Sequence, residues 1–146
     1  AHGRVQRLLE GSGGESVARL REELQGVMME KASVFRTAGD LQELLATIKS
    51  LKERYEKVQI QDRGRRFNTD LLEALELENL LEVSEAVVHS ALAREESRGA
   101  HYREDFPKRD DGQWLKHTLA YKDGERIRLA YKPVVITRFQ PKERKY

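Results

Sequence analysis

The chain has no cysteine and only three prolines among its 146 residues. Without thiols there is no disulfide framework, no thiolate metal site, no iron–sulfur ligand and no cysteine nucleophile. A cysteine-free composition fits a reducing compartment. No apolar run approaches the roughly 18 residues that a membrane-spanning helix needs. Nor is charge of one sign in large excess: the net value of +2 lacks the basic footprint of a general nucleic-acid binder, and no nucleic-acid partner is expected.

What the chain does have is charge of both signs, at 36% of residues against 38% hydrophobic. That suits amphipathic helices with fully charged outer faces. The charge is uneven. Residues 101–146 carry 12 Lys and Arg against 7 Asp and Glu, whereas residues 1–100 carry 15 against 18. The opening Ala1-His2-Gly3-Arg4 has no initiator Met and no apolar leader behind it, yet Val5, Leu8 and Leu9 already show helical spacing. The expectation is a piece of a longer protein.

Gly11-Ser12-Gly13-Gly14 is a flexible break, with Ser12 and Glu15 at capping-box spacing. Val17, Leu20, Leu24, Val27 and Met28 then predict a helix over 15–32, with Gly26 a mild weak point. Val34-Phe35 forms an apolar corner. Thr37 is the next N-cap, and Leu41, Leu44, Leu45, Ile48, Leu51, Tyr55 and Val58 trace one face of a helix over 38–58. Asp62-Arg63-Gly64-Arg65-Arg66 is able to hold a phosphate but reads better as a solvated loop. Asn68, Thr69 and Asp70 offer caps and acidic first-turn charge for a third helix running towards residue 98, which Gly99 is placed to stop. Its apolar set is wide, with Leu77, Leu81 and Val88 spilling around the cylinder. Such a helix packs against more than its two neighbours.

Beyond Gly99 the texture changes. Residues 105–112 are irregular and polar. The alternation over 115–121, the Asp123-Gly124 step and Ile127, Leu129 and Tyr131 predict a β-hairpin. Pro133 interrupts it, 134–139 is a further extended stretch, and 140–146 is a charged end. The fold class expected is mainly α: an antiparallel three-helix bundle followed by an extended C-terminal tail with a β-hairpin. The division is a flexible or partly helical lead-in over 1–14, the bundle over 15–99 and the tail over 100–146. A lone two-stranded hairpin is marginal in water, so it should lie on the bundle or on another domain.

Catalytic patterns are missing. His2, His89, His101 and His117 form no pair at metal-binding spacing. There is no Gly-x-Ser-x-Gly elbow and no dinucleotide fingerprint, and the early glycine segment lacks the strand that should precede one. The carboxylates sit on solvated helix faces, where ion pairs one turn apart explain them. One stretch is dense in polar chemistry: Arg94-Glu95-Glu96-Ser97-Arg98, then His101, Arg103, Glu104 and Asp105. Arginine forks bind carboxylates bidentately, so these residues are able to build either a buried network that pins the tail to the third helix or an anion site. The network is the better reading. The candidates are Arg94, Arg98, His101, Arg103 and Asp105, acting as a polar clasp to the tail or to a neighbouring domain. Trp114 reads as a packing anchor.

At this stretch the chain closely resembles the C-terminal part of the flavoprotein subunit of succinate dehydrogenase and fumarate reductase. The resemblance rests on Arg94-Glu95-Glu96-Ser97-Arg98-Gly99-Ala100-His101 with Arg103 and Asp105. Arg109-Asp110-Asp111, Trp114 and Lys116-His117-Thr118-Leu119 continue it in order. Phe67-Asn68-Thr69-Asp70-Leu71, Leu20-Arg21-Glu22-Glu23-Leu24, Val34-Phe35-Arg36 and the closing Pro141–Tyr146 extend it over nearly the whole chain. L-aspartate oxidase shares a Glu-Ser-Arg-Gly-x-His segment, but the strand at 116–119 and the tail favour the succinate/fumarate branch. The resemblance implies a parent protein that binds FAD and interconverts succinate and fumarate. Electrons would pass to or from an iron–sulfur subunit and, through membrane anchor subunits, a quinone, with the complex on the cytoplasmic or matrix face of a respiratory membrane. The family's flavin and substrate motifs lie in earlier domains. This chain is therefore expected to hold no catalytic residue, no metal and no FAD of its own, and to pack against the FAD-binding and substrate domains. The alternative from a different class is an autonomous helical interaction module using its basic tail.

Overall fold

A computed structural model of the chain describes residues 2–142. The order of elements is α1 (His2–Glu10), α2 (Val17–Ala32), β1 (Phe35–Arg36), α3 (Ala38–Tyr55), α4 (Thr69–Ala93), β2 (Tyr102–Arg103), α5 (Asp111–Trp114), β3 (Lys116–Asp123) and β4 (Arg126–Pro133). The protein is mainly α with a β-hairpin. Five helices form among the described residues: the three of the expected bundle, one in the lead-in read as flexible or partly helical, and a short one before the hairpin.

The added helices have local causes. In α1, Leu8 is buried while Arg4 and Arg7 reach Glu78 on α4, and Arg7 also pairs with Glu56. The short α5 is nucleated by Asp110, whose side chain accepts from the Gly112 and Gln113 N–H groups. The glycine segment before α2 serves close packing. A Cβ on Gly11 would sit 2.7 Å from the Val58 carbonyl, and one on Gly13 would sit 2.4 Å from that of Lys57.

α2, α3 and α4 pack against one another. The core between them consists of Leu20 and Leu24 from α2, Leu41, Leu44, Ile48, Leu51 and Tyr55 from α3, and Ala74, Leu77, Leu81 and Val88 from α4. Burying each such aliphatic side chain contributes about 1.5–3 kcal/mol. The Tyr55 hydroxyl, carried into this core, donates to the Ala74 carbonyl at 2.8 Å.

Three helix boundaries differ from expectation. The cap of α2 is Ser16 rather than Ser12, because Glu15 forms a parallel bridge: its N–H donates to Lys57 and its carbonyl accepts from Gln59. The same bridge draws the chain out of α3 after Tyr55, three residues early, although Val58 and Ile60 stay buried. α4 stops at Ala93 rather than near 98, because its last carbonyls are taken by an arginine from the tail. Gly99, with φ +61, serves instead a tight turn in which Arg98 and His101 exchange two backbone hydrogen bonds.

Two small sheets complete the fold among the described residues. β1 pairs in parallel with β2, setting Phe35 beside Tyr102 and Arg36 beside Arg103. β3 and β4 pair antiparallel from Lys116↔Pro133 to Asp123↔Arg126. Asp123 is thus the last paired residue, and the two-residue turn is Gly124-Glu125, with Gly124 at φ +62. The hairpin lies on α4, and Tyr131 meets Trp114 edge-on at 5.8 Å. Residues 134–142 form no strand. The charged end beyond Lys142 lies outside the described residues. No helix among the described residues is long and apolar enough to cross a membrane.

Candidate interface at the end of the long helix

α4 delivers its last turn to a point where the tail folds back on it. Arg103, only 1% exposed, donates through Nη1 to the carbonyls of Ala91 at 3.0 Å, Leu92 at 2.9 Å and Arg94 at 3.3 Å. A guanidinium there satisfies orphan carbonyls and matches the negative end of the helix dipole. Its other edge forms a fork to Asp105, both bonds at 2.7 Å. Asp105 in turn accepts from the Ala38 N–H at 3.0 Å, at the positive end of α3. One Arg–Asp pair therefore joins the C-terminus of α4 to the N-terminus of α3. The bonds from Arg103 hold the Asp105 carboxyl down at about 2.

Beside it lies Glu96, fully buried. Arg94 donates to it at 2.5 Å, Arg98 at 2.8 and 2.9 Å, and the Asp110 N–H at 3.0 Å. Burial alone would raise its carboxyl. The bonds from Arg98, the Asp110 amide and Arg94 more than offset that, so it stays below its ordinary value. Arg98 also reaches Asp111 at 2.7 Å, which Arg109 shares. Arg94 extends to the Trp114 and Lys116 carbonyls and the Thr118 hydroxyl, tying the hairpin to α4. Ser97 accepts from the Arg103 N–H at 2.9 Å and donates to the Phe106 carbonyl at 2.8 Å.

His101 is half-buried among arginines. Arg36 Nη1 lies 2.8 Å from its Nδ1, and its Nε2 lies 3.2 Å from the Arg94 carbonyl. An arginine has only hydrogens to offer, so Nδ1 accepts and Nε2–H donates, which makes the ring neutral. Burial, then the charges of Arg36, Arg103 and Arg94, push its pKa below the ordinary value.

The structure thus brings Arg94, Arg98, His101, Arg103 and Asp105 together. Among the members that sequence reasoning did not select are Glu96, Asp111 and Arg36. Glu96 stands in the quoted stretch but was not singled out, since a glutamate beyond a helix end is ordinarily exposed. Asp111 belongs to a segment read as irregular. Arg36 arrives from far away in sequence through the β1–β2 pairing, and no local pattern announces that pairing.

None of this fits a flavin. The glycine segment opposes the end of α3 rather than cradling phosphates, and no strand of the described residues precedes it. Among the described residues no group of three or more His, Cys, Asp and Glu is arranged to hold a metal ion.

The class of protein these features define is a mainly helical unit whose tail is clasped to its longest helix by buried Arg–carboxylate pairs. A sequence profile described as the fumarate reductase flavoprotein C-terminus matches residues 21–146. The chain belongs to this family, as a C-terminal domain of succinate dehydrogenase and fumarate reductase flavoprotein subunits. It is 45% identical to the mitochondrial succinate dehydrogenase [ubiquinone] flavoprotein subunit of Oryza sativa, over 97% of this chain and 24% of that protein. It is 44% identical to the fumarate reductase flavoprotein subunit of Mycobacterium tuberculosis, over 93% of this chain and 24% of that one. Among solved structures, the E. coli quinol fumarate reductase FrdA superposes with a TM-score of 0.91 at 41% identity, covering 97% of this chain and 25% of that one. Adenylylsulfate reductase of Archaeoglobus fulgidus shares the fold more distantly, with a TM-score of 0.69 at 29% identity, covering 76% of this chain and 18% of that one. The chain spans about a quarter of the length of the curated relatives it matches.

Proposed function

We propose that this chain works as the non-catalytic C-terminal helical domain of a flavoprotein subunit that interconverts succinate and fumarate. In this reading α2, α3 and α4 form an antiparallel three-helix scaffold. The clasp of Arg94, Arg98, His101, Arg103 and Asp105 keeps tail and helix in register against the portion that binds FAD and substrate. That portion holds the FAD, and this chain holds none. The assembled subunit passes electrons to or from an iron–sulfur subunit and, through membrane anchors, a quinone, at the cytoplasmic or matrix face of a respiratory membrane.

The observation that carries this reading is the outer stripe of α4. Leu72 is 57% exposed and Val83 60% exposed, with Leu80 and Val87 on the same face. Apolar stripes of this kind mark surfaces that another part of a protein covers. This one leads directly to the clasp.

Two measurements test it. The purified 146-residue chain is expected to show no stoichiometric FAD binding and no succinate oxidation, and stoichiometric flavin binding would overturn the proposal. In a full-length subunit, Arg98→Ala should lower flavin retention or complex assembly while leaving KM unchanged. A changed KM with assembly intact would instead assign the clasp a direct substrate role.

A further inference from the structure

Beside the clasp, α4, the hairpin and the tail line an open cleft of about 660 Å³, within the range of small-molecule pockets. Its apolar lining comes from Val87 and Ala91 of α4, Trp114 and Leu115, and Val134 and Ile136 of the tail. Its polar lining is one-sided: Arg36, Arg94, Arg98 and Lys116, with His101 and His117. Among the described residues no Asp or Glu lines it.

Two of the four cations are already compensated, since Arg94 and Arg98 share Glu96 and Arg98 also holds Asp111. Arg36 and Lys116 have no carboxylate partner among the described residues. Arg36 spends Nε on the Ala32 and Ser33 carbonyls and Nη1 on His101, and its Nη2 has no acceptor among the described residues. Desolvation pushes its guanidinium below the ordinary value, as expected for a half-buried cation. Among the described residues the Lys116 ammonium rests on π-faces, its Nζ 4.4 Å from the centre of Trp114 and 4.3 Å from that of Tyr131.

We infer that this cleft is a binding site for a carboxylate carried on an apolar body, with Arg36 and Lys116 taking the anion and Val87, Trp114, Val134 and Ile136 taking the hydrocarbon. A guanidinium edge with a free Nη2 suits a carboxylate. Phosphate is a weaker match, because it would bring more charge and no apolar surface to walls that are largely hydrocarbon. Two sources offer this chemistry: a free small carboxylate, or an Asp or Glu side chain from the remainder of a full-length subunit. The site itself does not depend on the scaffold reading above.

Trp114 is the sole tryptophan of the chain and lines the cleft, so its fluorescence reports occupancy. The 146-residue chain, whose core is closed by its own residues, is titrated with hexanoate, hexanol and inorganic phosphate. A saturable change with hexanoate is expected, in the millimolar range typical of so small a ligand, with hexanol and phosphate at least about tenfold weaker. Arg36→Gln should weaken hexanoate binding at least about tenfold, with circular dichroism and Tm verifying the fold. Lys116→Gln, which breaks no hydrogen bond, should weaken it by a smaller factor. A full-length subunit then separates the sources. Binding retained there identifies a free ligand. Binding seen in the isolated chain and abolished in the full-length subunit identifies an internal carboxylate, and Arg36→Gln should then increase proteolysis at the junction. No saturable response, an equal response to hexanol, stronger binding of phosphate, or indifference to Arg36→Gln would overturn the proposal. So would binding that appears only in Glu143→Gln, because the resident would then be the chain's own tail carboxylate.

Discussion

The two halves of α4 are held by different balances of forces. Its first half is held chiefly by shape: Ala74, Leu77 and Leu81 pack in the core with α2 and α3, and the Tyr55 bond to the Ala74 carbonyl is a single directed contact in that core. Its last turn is fixed by directed bonds, with Arg103 on three carbonyls and Arg94 and Arg98 on the buried Glu96. Apolar packing degrades gradually when trimmed. A buried charge network degrades abruptly, because each removed partner leaves another charge without compensation.

That contrast is open to measurement. The largest expected loss comes from Glu96→Ala, which strips a common acceptor from Arg94 and Arg98 and should cost about 3–5 kcal/mol in urea unfolding. A cost below about 1 kcal/mol would mean that the network holds nothing. Arg103→Lys keeps the charge but loses the fork, leaving buried carbonyls unsatisfied at about 1–3 kcal/mol. Leu77→Met, the matching conservative change in the packed half, should cost under about 1.5 kcal/mol. Equal losses for these two would erase the distinction between the halves.

How far the sequence carried follows the same division. The period of α3, the wide apolar face of α4 and the Asn68 and Thr37 caps are local, and all three were legible. The Arg94–Asp105 residues were also legible as a group, because arginines and acids so dense at a helix end ask for one another. Arg36 was not, since only tertiary pairing brings it there. The ends of α3 and α4 were misplaced for the same reason. Glu15 and Arg103 come from elsewhere and compete for backbone groups that an isolated helix would have kept. The Asp105 pairing with Arg103 was expected as membership of one clasp, while its reach to α3 was not.

Acid should separate the halves without mutation. The Asp105 carboxyl is held at about 2 against an ordinary 3.8. It therefore binds protons more weakly folded than unfolded, and its contribution is full above about 4 and lost as pH falls towards 2. His101 is likewise depressed below 6.5. Its neutral form is the folded one, so stability is complete above that value and declines as pH falls through its lower folded pKa. Unfolding followed from pH 7 to pH 5 should show a decline that His101→Gln removes, and a slope unchanged by that substitution would refute the neutral-ring assignment. The smallest effect belongs to Asn68→Ala, which removes the 2.7 Å cap on the Leu71 N–H and should cost about 1 kcal/mol. It should leave the pH dependence untouched, because a neutral cap at the far end of α4 senses none of these titrations.

The parallel pairing of β1 with β2 also bears on the order in which the molecule assembles. Asp105 meets Ala38 across 67 positions of chain, and the whole of α3 and α4 lies between them. Closing so long a loop is entropically slow until its interior has condensed. The helices must therefore dock first, and the tail is sewn on afterwards as a seam. A seam closed last is the one that opens first, so the amides of Tyr102 and Glu104 should exchange with solvent well before those of Leu44 or Leu77. The domain thus has a built-in order of release, with its tail able to peel away while the helices remain folded.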